Sequence, residues 1–308
     1  MHILLAQPRG FCAGVEMAVA AVERALELYG SPLYAFHEIV HNTAIVAGLQ
    51  RRGVLFVNDV TDVPTGAVIV FSAHGVSPAV RAMAAERHLV VVDATCPLVS
   101  KVHTEARRFV KDGFSVVFIG HAGHDEAVGL LGEAPDAIIL IETLEDVERV
   151  TVPDSHRVAY LTQTTLGVDD TRRIVEALNK RFPGIVGPTH SDICYATQNR
   201  QTAIRSIASE SSLALILGSR HSSNSQRLRE VASDAGASSH LIDGPEDLRH
   251  EWFDRVSEVA VTAGASVPES LVKATVAAIV DRYGARVDEH RTAEETMHFS
   301  LPAPVRPE

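Results

Sequence analysis

Cysteine occurs only three times in the chain, at Cys12, Cys96 and Cys194. An odd number of well-separated thiols closes no disulfide framework, which leaves inert buried thiols, a nucleophile or metal ligands. Zinc accepts three thiolates with a histidine or water, but structural zinc sites draw their ligands in close pairs, and no such pair occurs here. An iron–sulfur cluster is the better fit. A 4Fe-4S cluster ordinarily takes four thiolates; with three, one iron keeps an open coordination position and becomes a Lewis acid.

Histidines form the second group. His41, His74 and His124 stand at comparable strand-to-helix turns, where helix N-termini and backbone N–H groups favour anions. Thr164, Ser222, Ser223, Asn224 and Ser266 add neutral donors at matching turns. Imidazoles, hydroxyls and an amide that converge describe a cradle for a phosphate or diphosphate. Taken alone, "SSNS" is also an ordinary helix N-cap, and Glu126 an ordinary first-turn glutamate. Buried near a cluster and a diphosphate, Glu126 is expected to stay protonated, because desolvation and like charge disfavour its ionised form, and to act as an acid.

Elements that could position these residues recur along the chain. From Leu33 to about Val280 short apolar runs alternate with helical stretches: "AVIVFS", "LVVVDA", "SVVFIG", "AIILIE", "RVAYLT", "LALILG", "EVAVTA". That alternation predicts α/β architecture with parallel sheets. Aligning "VVFIGHAGHDEAVG" with "LALILGSRHSSNSQRL" on Gly120 and Gly218 sets His124 opposite Ser222 and Glu126 opposite Asn224. "LYAFHEIVHN" joins them more loosely, with His41 four residues after His37. A second set, "VIVFSAHGVSP", "VAYLTQTTLGV" and "EVAVTAGASVP", carries His74, Thr164 and Ser266 at its turns. Each cysteine follows an expected strand end: "ILLA" for Cys12, "LVVVDATC" for Cys96 and "PTHSDIC" for Cys194. Ligands of open parallel sheets bind beyond such ends, so three α/β units about a pseudo-threefold axis would aim them at one centre. Gly10 and Gly14, flanking Cys12, are expected to let backbone approach a bulky ligand.

Composition sets outer limits. The chain has 308 residues, 46% of them hydrophobic and 22% charged, enough for two domains or three small ones. A net charge of -11 argues against nucleic-acid binding, which needs a basic face. No apolar run approaches a membrane span, so no membrane association is expected. The first residues lack the pattern of a secretory signal, which makes the cytoplasm the expected compartment, where thiols stay reduced.

In these motifs the chain resembles the 4-hydroxy-3-methylbut-2-enyl diphosphate reductase family. The stretches "PRGFCAGV", "HEIVHN", "FSAHGVSP", "DATCPLVSKVH", "GHAGHDE", "TQTTLGVDDT", "SDICYATQNRQ", "SSNS" and "TAGASVPE" occur in the family's order over nearly the whole chain. The resemblance implies a trefoil of three α/β domains around one 4Fe-4S cluster on Cys12, Cys96 and Cys194. The expected domains are 14–97, 98–195, and 1–13 with 196–282, followed by a C-terminal arm over 283–308. It further implies that His41, His74, His124, Ser222, Ser223, Asn224 and Ser266 hold the allylic diphosphate, with Thr164 near its hydroxyl and Glu126 supplying protons. The products would be isopentenyl and dimethylallyl diphosphate, with electrons from an external donor such as ferredoxin or flavodoxin. Two departures from the family pattern are His221 before "SSNS" and Leu130 in "EAVGLLGE".

Two other readings accommodate three cysteines. A dehydratase of the quinolinate synthase type resembles a pseudo-threefold assembly with an open iron and needs no external electrons. A noncatalytic redox sensor needs a cluster but no diphosphate cradle, and the histidine and serine turns argue against it.

Overall fold

A computed structural model describes residues Met1–Pro307. The chain opens with β1 (His2–Gln7) and α1 (Ala13–Tyr29). A first set of elements follows: β2 (Leu33–Phe36), α2 (Thr43–Arg51), β3 (Val54–Val57), β4 (Val68–Phe71), α3 (Pro78–Glu86) and β5 (Val90–Asp93). The second comprises α4 (Pro97–Lys111), β6 (Ser115–Ile119), α5 (Asp125–Leu131), β7 (Ile138–Ile141), α6 (Leu144–Arg149), β8 (Val158–Thr162) and α7 (Val168–Arg181). The third runs through α8 (Tyr195–Ala208), β9 (Leu213–Leu217), α9 (Ser223–Asp234), β10 (Ser238–Ile242), β11 (Glu258–Ala263), α10 (Glu269–Tyr283) and β12 (Arg286–Arg291).

Three sheets result, in the orders β3-β2-β4-β5, β7-β6-β8 and β10-β9-β11-β1-β12, and the strand pairs in them are parallel. The α/β class with parallel sheets in three similar sets is therefore what the chain adopts. Each sheet contains the same run, in which the first strand of a set lies between its second and third. The strand order thus runs to one side of that first strand and then to the other, an arrangement in which parallel sheets take ligands beyond the carboxyl ends of their strands.

By contacts the chain divides into two compact units. One comprises Met1–Val15, His41–Gly48 and Tyr195–His298; the other holds Glu16–Val40, Leu49–Cys194 and the described part of Phe299–Glu308. In the first unit, the five-stranded sheet is covered on both faces. Ile3, Leu215, Val261 and Ile279 pack on one side, and Ile204, Ile216, Leu228 and Ala260 on the other. That double burial explains why "LALIL" reads as one apolar run, with all five residues of β9 buried. Each such leucine, isoleucine or valine contributes about 1.5–3 kcal/mol of transfer free energy. In the second unit, Val117, Ile141 and Leu178 cover one face of the three-stranded sheet, and Val116, Phe118 and Leu161 the other.

Two expectations need correction. No strand leads directly into Cys194: the fourth position beside β8 is reduced to a single bridge between Ala159 and Val186. The run "FPGIVGPTH" explains the loss, since proline supplies no ladder donor and glycine weakens a strand. Gly14 does not flank Cys12 as loop, because it lies in the first turn of α1. Beyond α10, Gly284 caps the helix at φ 61, the left-handed value glycine adopts most readily. The arm then adds β12 in parallel beside β1, although all six of its residues are exposed. No helix among the described residues is long and apolar enough to cross a membrane.

Candidate functional site

In the unit with the three- and four-stranded sheets, candidate residues lie at strand ends and helix starts. His124 is the N-cap of α5: its Nδ1 accepts the Glu126 backbone N–H at 3.2 Å. An acceptor nitrogen carries no hydrogen, so Nε2 is the N–H donor of a neutral His124 ring. The ring meets that of His74 edge-on at 5.7 Å between centroids. Glu126 is 5% exposed. The Thr164 N–H donates to its Oε2 at 2.9 Å, and the Thr164 hydroxyl pairs with its Oε1 at 2.8 Å. Thr164 stands two residues past the end of β8, so strand and helix together fix this carboxyl.

Asp125, between these two residues, reaches elsewhere. Its carboxylate lies 2.7 Å from His37 Nδ1 and 3.7 Å from His74 Nδ1. The hydrogen bond to Asp125 raises the pKa of His37 above 6.5, against the opposing effect of burial. His37 also holds a left-handed φ of 58, uncommon for a residue with a side chain.

In the unit with the five-stranded sheet the donors are neutral. Ser222 is the N-cap of α9, accepting the Ser225 N–H at 3.3 Å, and Ser223 begins the helix. Asn224 Oδ1 accepts the Ala265 N–H at 3.0 Å, while Nδ2 donates to Thr197 Oγ1 at 3.4 Å. The Ser266 hydroxyl donates to the His41 carbonyl at 2.9 Å. The expected pairing of His124 with Ser222 is thus a pairing of two N-caps, with Glu126 and Asn224 each at the second helical position. In the first set the register is one residue later: Asn42, next to His41, accepts the Ile45 N–H ahead of α2.

The cysteines obey one rule in all three sets. Cys96 N–H donates to the Ala73 carbonyl (3.0 Å), Cys194 N–H to that of Thr164 (3.1 Å), and Cys12 N–H to that of Ala265 (3.3 Å). Those acceptors are each the second residue after β4, β8 and β11. Every thiol is half-buried, and each cysteine is held by its backbone N–H at the equivalent turn. A donor set of three sulfurs at equivalent turns fits an iron–sulfur cluster.

The approach to each cysteine is braced differently. Before Cys96, Asp93 accepts from the Thr95 N–H (3.1 Å) and Arg81 (2.5 Å). Before Cys194, buried Asp192 accepts from the Thr162 N–H (3.0 Å) and Lys101 (2.9 Å); burial pushes its pKa up to about 6 against the pull of Lys101. Around Cys12, Gly10 needs its glycine: φ is 65, and a Cβ would lie 2.9 Å from the Val267 carbonyl. Tyr195 meets the backbone of Ala13, and burial pushes its hydroxyl up to about 12.

Sequence reasoning passed over Asp125, His37, Asp192 and Tyr195, although three of them sit within two residues of a quoted candidate and His37 lies four before His41. Of the two departures, Leu130 is fully buried among Val102, Ala106 and Phe118, so α5 packs there by hydrocarbon contact. His221 is exposed, with its N–H on Ser219 Oγ at 3.3 Å.

Comparison with known proteins agrees with this arrangement. The model of the LytB protein family matches residues 3–280. A protein of Acidothermus cellulolyticus named 4-hydroxy-3-methylbut-2-enyl diphosphate reductase is 52% identical over 308 residues, covering 100% of this chain and 91% of that one. One of Mycobacterium tuberculosis, named 4-hydroxy-3-methylbut-2-enyl diphosphate reductase 2, is 51% identical over 306 residues, covering 99% and 91%. The solved E-1-hydroxy-2-methyl-but-2-enyl-4-diphosphate reductase of Plasmodium falciparum superposes with a TM-score of 0.96 at 35% identity, over 99% of this chain and 96% of that one. These likenesses favour the reductase over the dehydratase and sensor alternatives. With its family model matched nearly end to end and its relatives half identical over their shared length, the chain belongs to the LytB family of 4-hydroxy-3-methylbut-2-enyl diphosphate reductases, which are iron–sulfur enzymes.

Proposed function

We propose that this chain reduces (E)-4-hydroxy-3-methylbut-2-enyl diphosphate to isopentenyl and dimethylallyl diphosphate, the last step of the methylerythritol phosphate route, in the cytoplasm. Two electrons and two protons remove the hydroxyl as water: one proton departs with the oxygen and the other ends on carbon. The electrons come from an external one-electron carrier such as ferredoxin or flavodoxin. When bound on Cys12, Cys96 and Cys194, a 4Fe-4S cluster supplies those electrons and an iron with an open coordination position. Domains 14–97, 98–195, and 1–13 with 196–282 each contribute one cysteine, and the arm follows from 283.

His41, His74 and His124 hold the diphosphate with Ser222, Ser223, Asn224 and Ser266, several of whose groups are already oriented by helix caps and turn hydrogen bonds. Binding energy from that remote end holds the hydroxyl at the reacting centre. Thr164 and Glu126 stand at the hydroxyl end. A proton on the carboxyl is positioned to pass through the Thr164 hydroxyl, 2.8 Å away, to the departing oxygen. The observation that supports this role most is the buried Glu126 carboxyl fixed on both oxygens by a single threonine. An anaerobic assay with a chemical reductant and product analysis tests the whole reading: consumption of the allylic diphosphate with release of both products is expected, and its persistence in the presence of reduced protein sinks the assignment.

A further inference from the structure

Arg200, on α8, heads the large side chains that are fully buried, at 0% exposed. All its donors are engaged. Nε and Nη2 donate to the Gly10 carbonyl at 3.0 and 2.7 Å, Nη2 also to the Phe11 carbonyl at 3.1 Å, and Nη1 to the Ala196 carbonyl at 2.9 Å. The charge is matched by Glu295, whose Oε1 lies 2.9 Å from Nη1 and Oε2 3.2 Å from Nη2. Asn199 Nδ2 donates to the same carboxylate at 3.1 Å. Glu295 belongs to the arm beyond β12, which is tied beside β1 by the Thr292 N–H on the Gln7 carbonyl at 2.8 Å.

The two carbonyls that Arg200 grips are the pair immediately before Cys12. A guanidinium is well suited to this task, since its planar fork binds several acceptors in a fixed geometry. Buried without a counter-charge it would be strongly unfavourable, so the grip depends on Glu295. We propose that Arg200, neutralised by Glu295 of the C-terminal arm, is the positioning residue of the Cys12 turn, so that the arm holds one cluster ligand in place. The inference rests on the reading of Cys12 as a ligand. Partners that orient metal ligands typically matter by about 10–100-fold in metal affinity or activity.

The test uses full-length protein purified anaerobically, with R200M/E295M as the main variant. Replacing a buried ion pair by apolar side chains of similar size often leaves stability unchanged. The double variant is therefore expected to melt close to wild type while losing the grip on Gly10 and Phe11. Hydrogen exchange of the peptide covering residues 8–15 should rise at least about tenfold, as for a turn released to local opening, with the peptides around Cys96 and Cys194 unchanged. Cluster loss to an iron chelator should accelerate about 10–100-fold. Unchanged exchange at 8–15, an equal rise around all three cysteines, or an unchanged rate of cluster loss overturns the proposal. Where the double variant does not fold, the near-isosteric Glu295→Gln is judged by the same readouts. Full iron retention in Cys12→Ser would remove the ligand reading instead, a failure the exchange measurement does not share.

Discussion

Helices α5 and α9 begin at the same place in their respective sets, yet their first turns are chemically opposite. α5 opens with an imidazole cap, two carboxyl groups and a second imidazole edge-on to the first. α9 opens with two serines and an asparagine, and no acidic residue stands in its first turn. Backbone N–H groups at a helix start favour negative charge in both cases. What differs is whether the side chains can carry a proton. One repeated frame thus carries ionisable side chains in one copy and neutral hydroxyl and amide groups in the other, the contrast on which the proposed division between proton supply and anion binding rests. Reactions that neutralise a leaving oxygen while holding a diphosphate need both.

The largest effect should come from Glu126→Gln, which removes the exchangeable carboxyl proton while keeping shape and most hydrogen bonds. Turnover of a pre-reduced enzyme in a single-turnover format should fall about 100- to 10,000-fold, with substrate affinity near wild type. A loss of only a fewfold would make Glu126 a structural companion of Thr164, and α5 no more proton-active than α9.

Next in size is the imidazole that caps α5. His124→Phe removes both cap and N–H donor and should weaken diphosphate binding, measured calorimetrically, by about 1.5–3 kcal/mol. His124→Asn sharpens the point, because asparagine is among the best N-caps. It should restore thermal stability without restoring affinity; recovery of both would make His124 a cap alone.

Smaller again is Ser222→Ala, which deletes the α9 cap and should cost about 1 kcal/mol of stability in chemical denaturation. Because the group lost is neutral, that cost should be the same across mild pH. A pH-dependent cost would mean that an ionisable group is coupled to α9, against the contrast drawn with α5.

Much of this arrangement was legible in the sequence because it repeats. Aligning strand-ending glycines Gly120 and Gly218 pairs His124 with Ser222, and the structure makes both N-caps. Strands buried on both faces, such as β9, announce themselves as apolar runs. β12 does not: "RVDEHR" is fully exposed, so its membership of a sheet rests on backbone pairing with β1 rather than on hydrophobic pattern. The missing strand before Cys194 is the reverse case, where topology implied an element that proline and glycine prevent. Arg200 was hidden for another reason, since a buried arginine is recognisable only once its counter-charge, 95 residues away at Glu295, is brought beside it.

The smallest effect belongs to the pair that α9 has no counterpart for, His37 and Asp125. The hydrogen bond to Asp125, its charge and a hydrogen bond to the Asn58 backbone carbonyl together raise the pKa of His37 above 6.5, outweighing burial. The folded protein therefore holds this proton more tightly than the unfolded chain. The pairing stabilises fully below 6.5, where both states are protonated, and its contribution is lost as pH rises through the raised folded value. Because His37 is only half-buried, solvent screening limits the contribution to at most about 1 kcal/mol. Asp125→Asn should accordingly lower stability at about pH 6 and match wild type by about pH 8.5 in denaturant titrations. Because His74 Nδ1 also lies 3.7 Å from this carboxylate, NMR titration of His37 itself in the variant reads its contribution directly. A stability difference that persists undiminished at the higher pH would show Asp125 acting through α5 packing rather than through charge, and would bring the start of α5 closer in kind to that of α9.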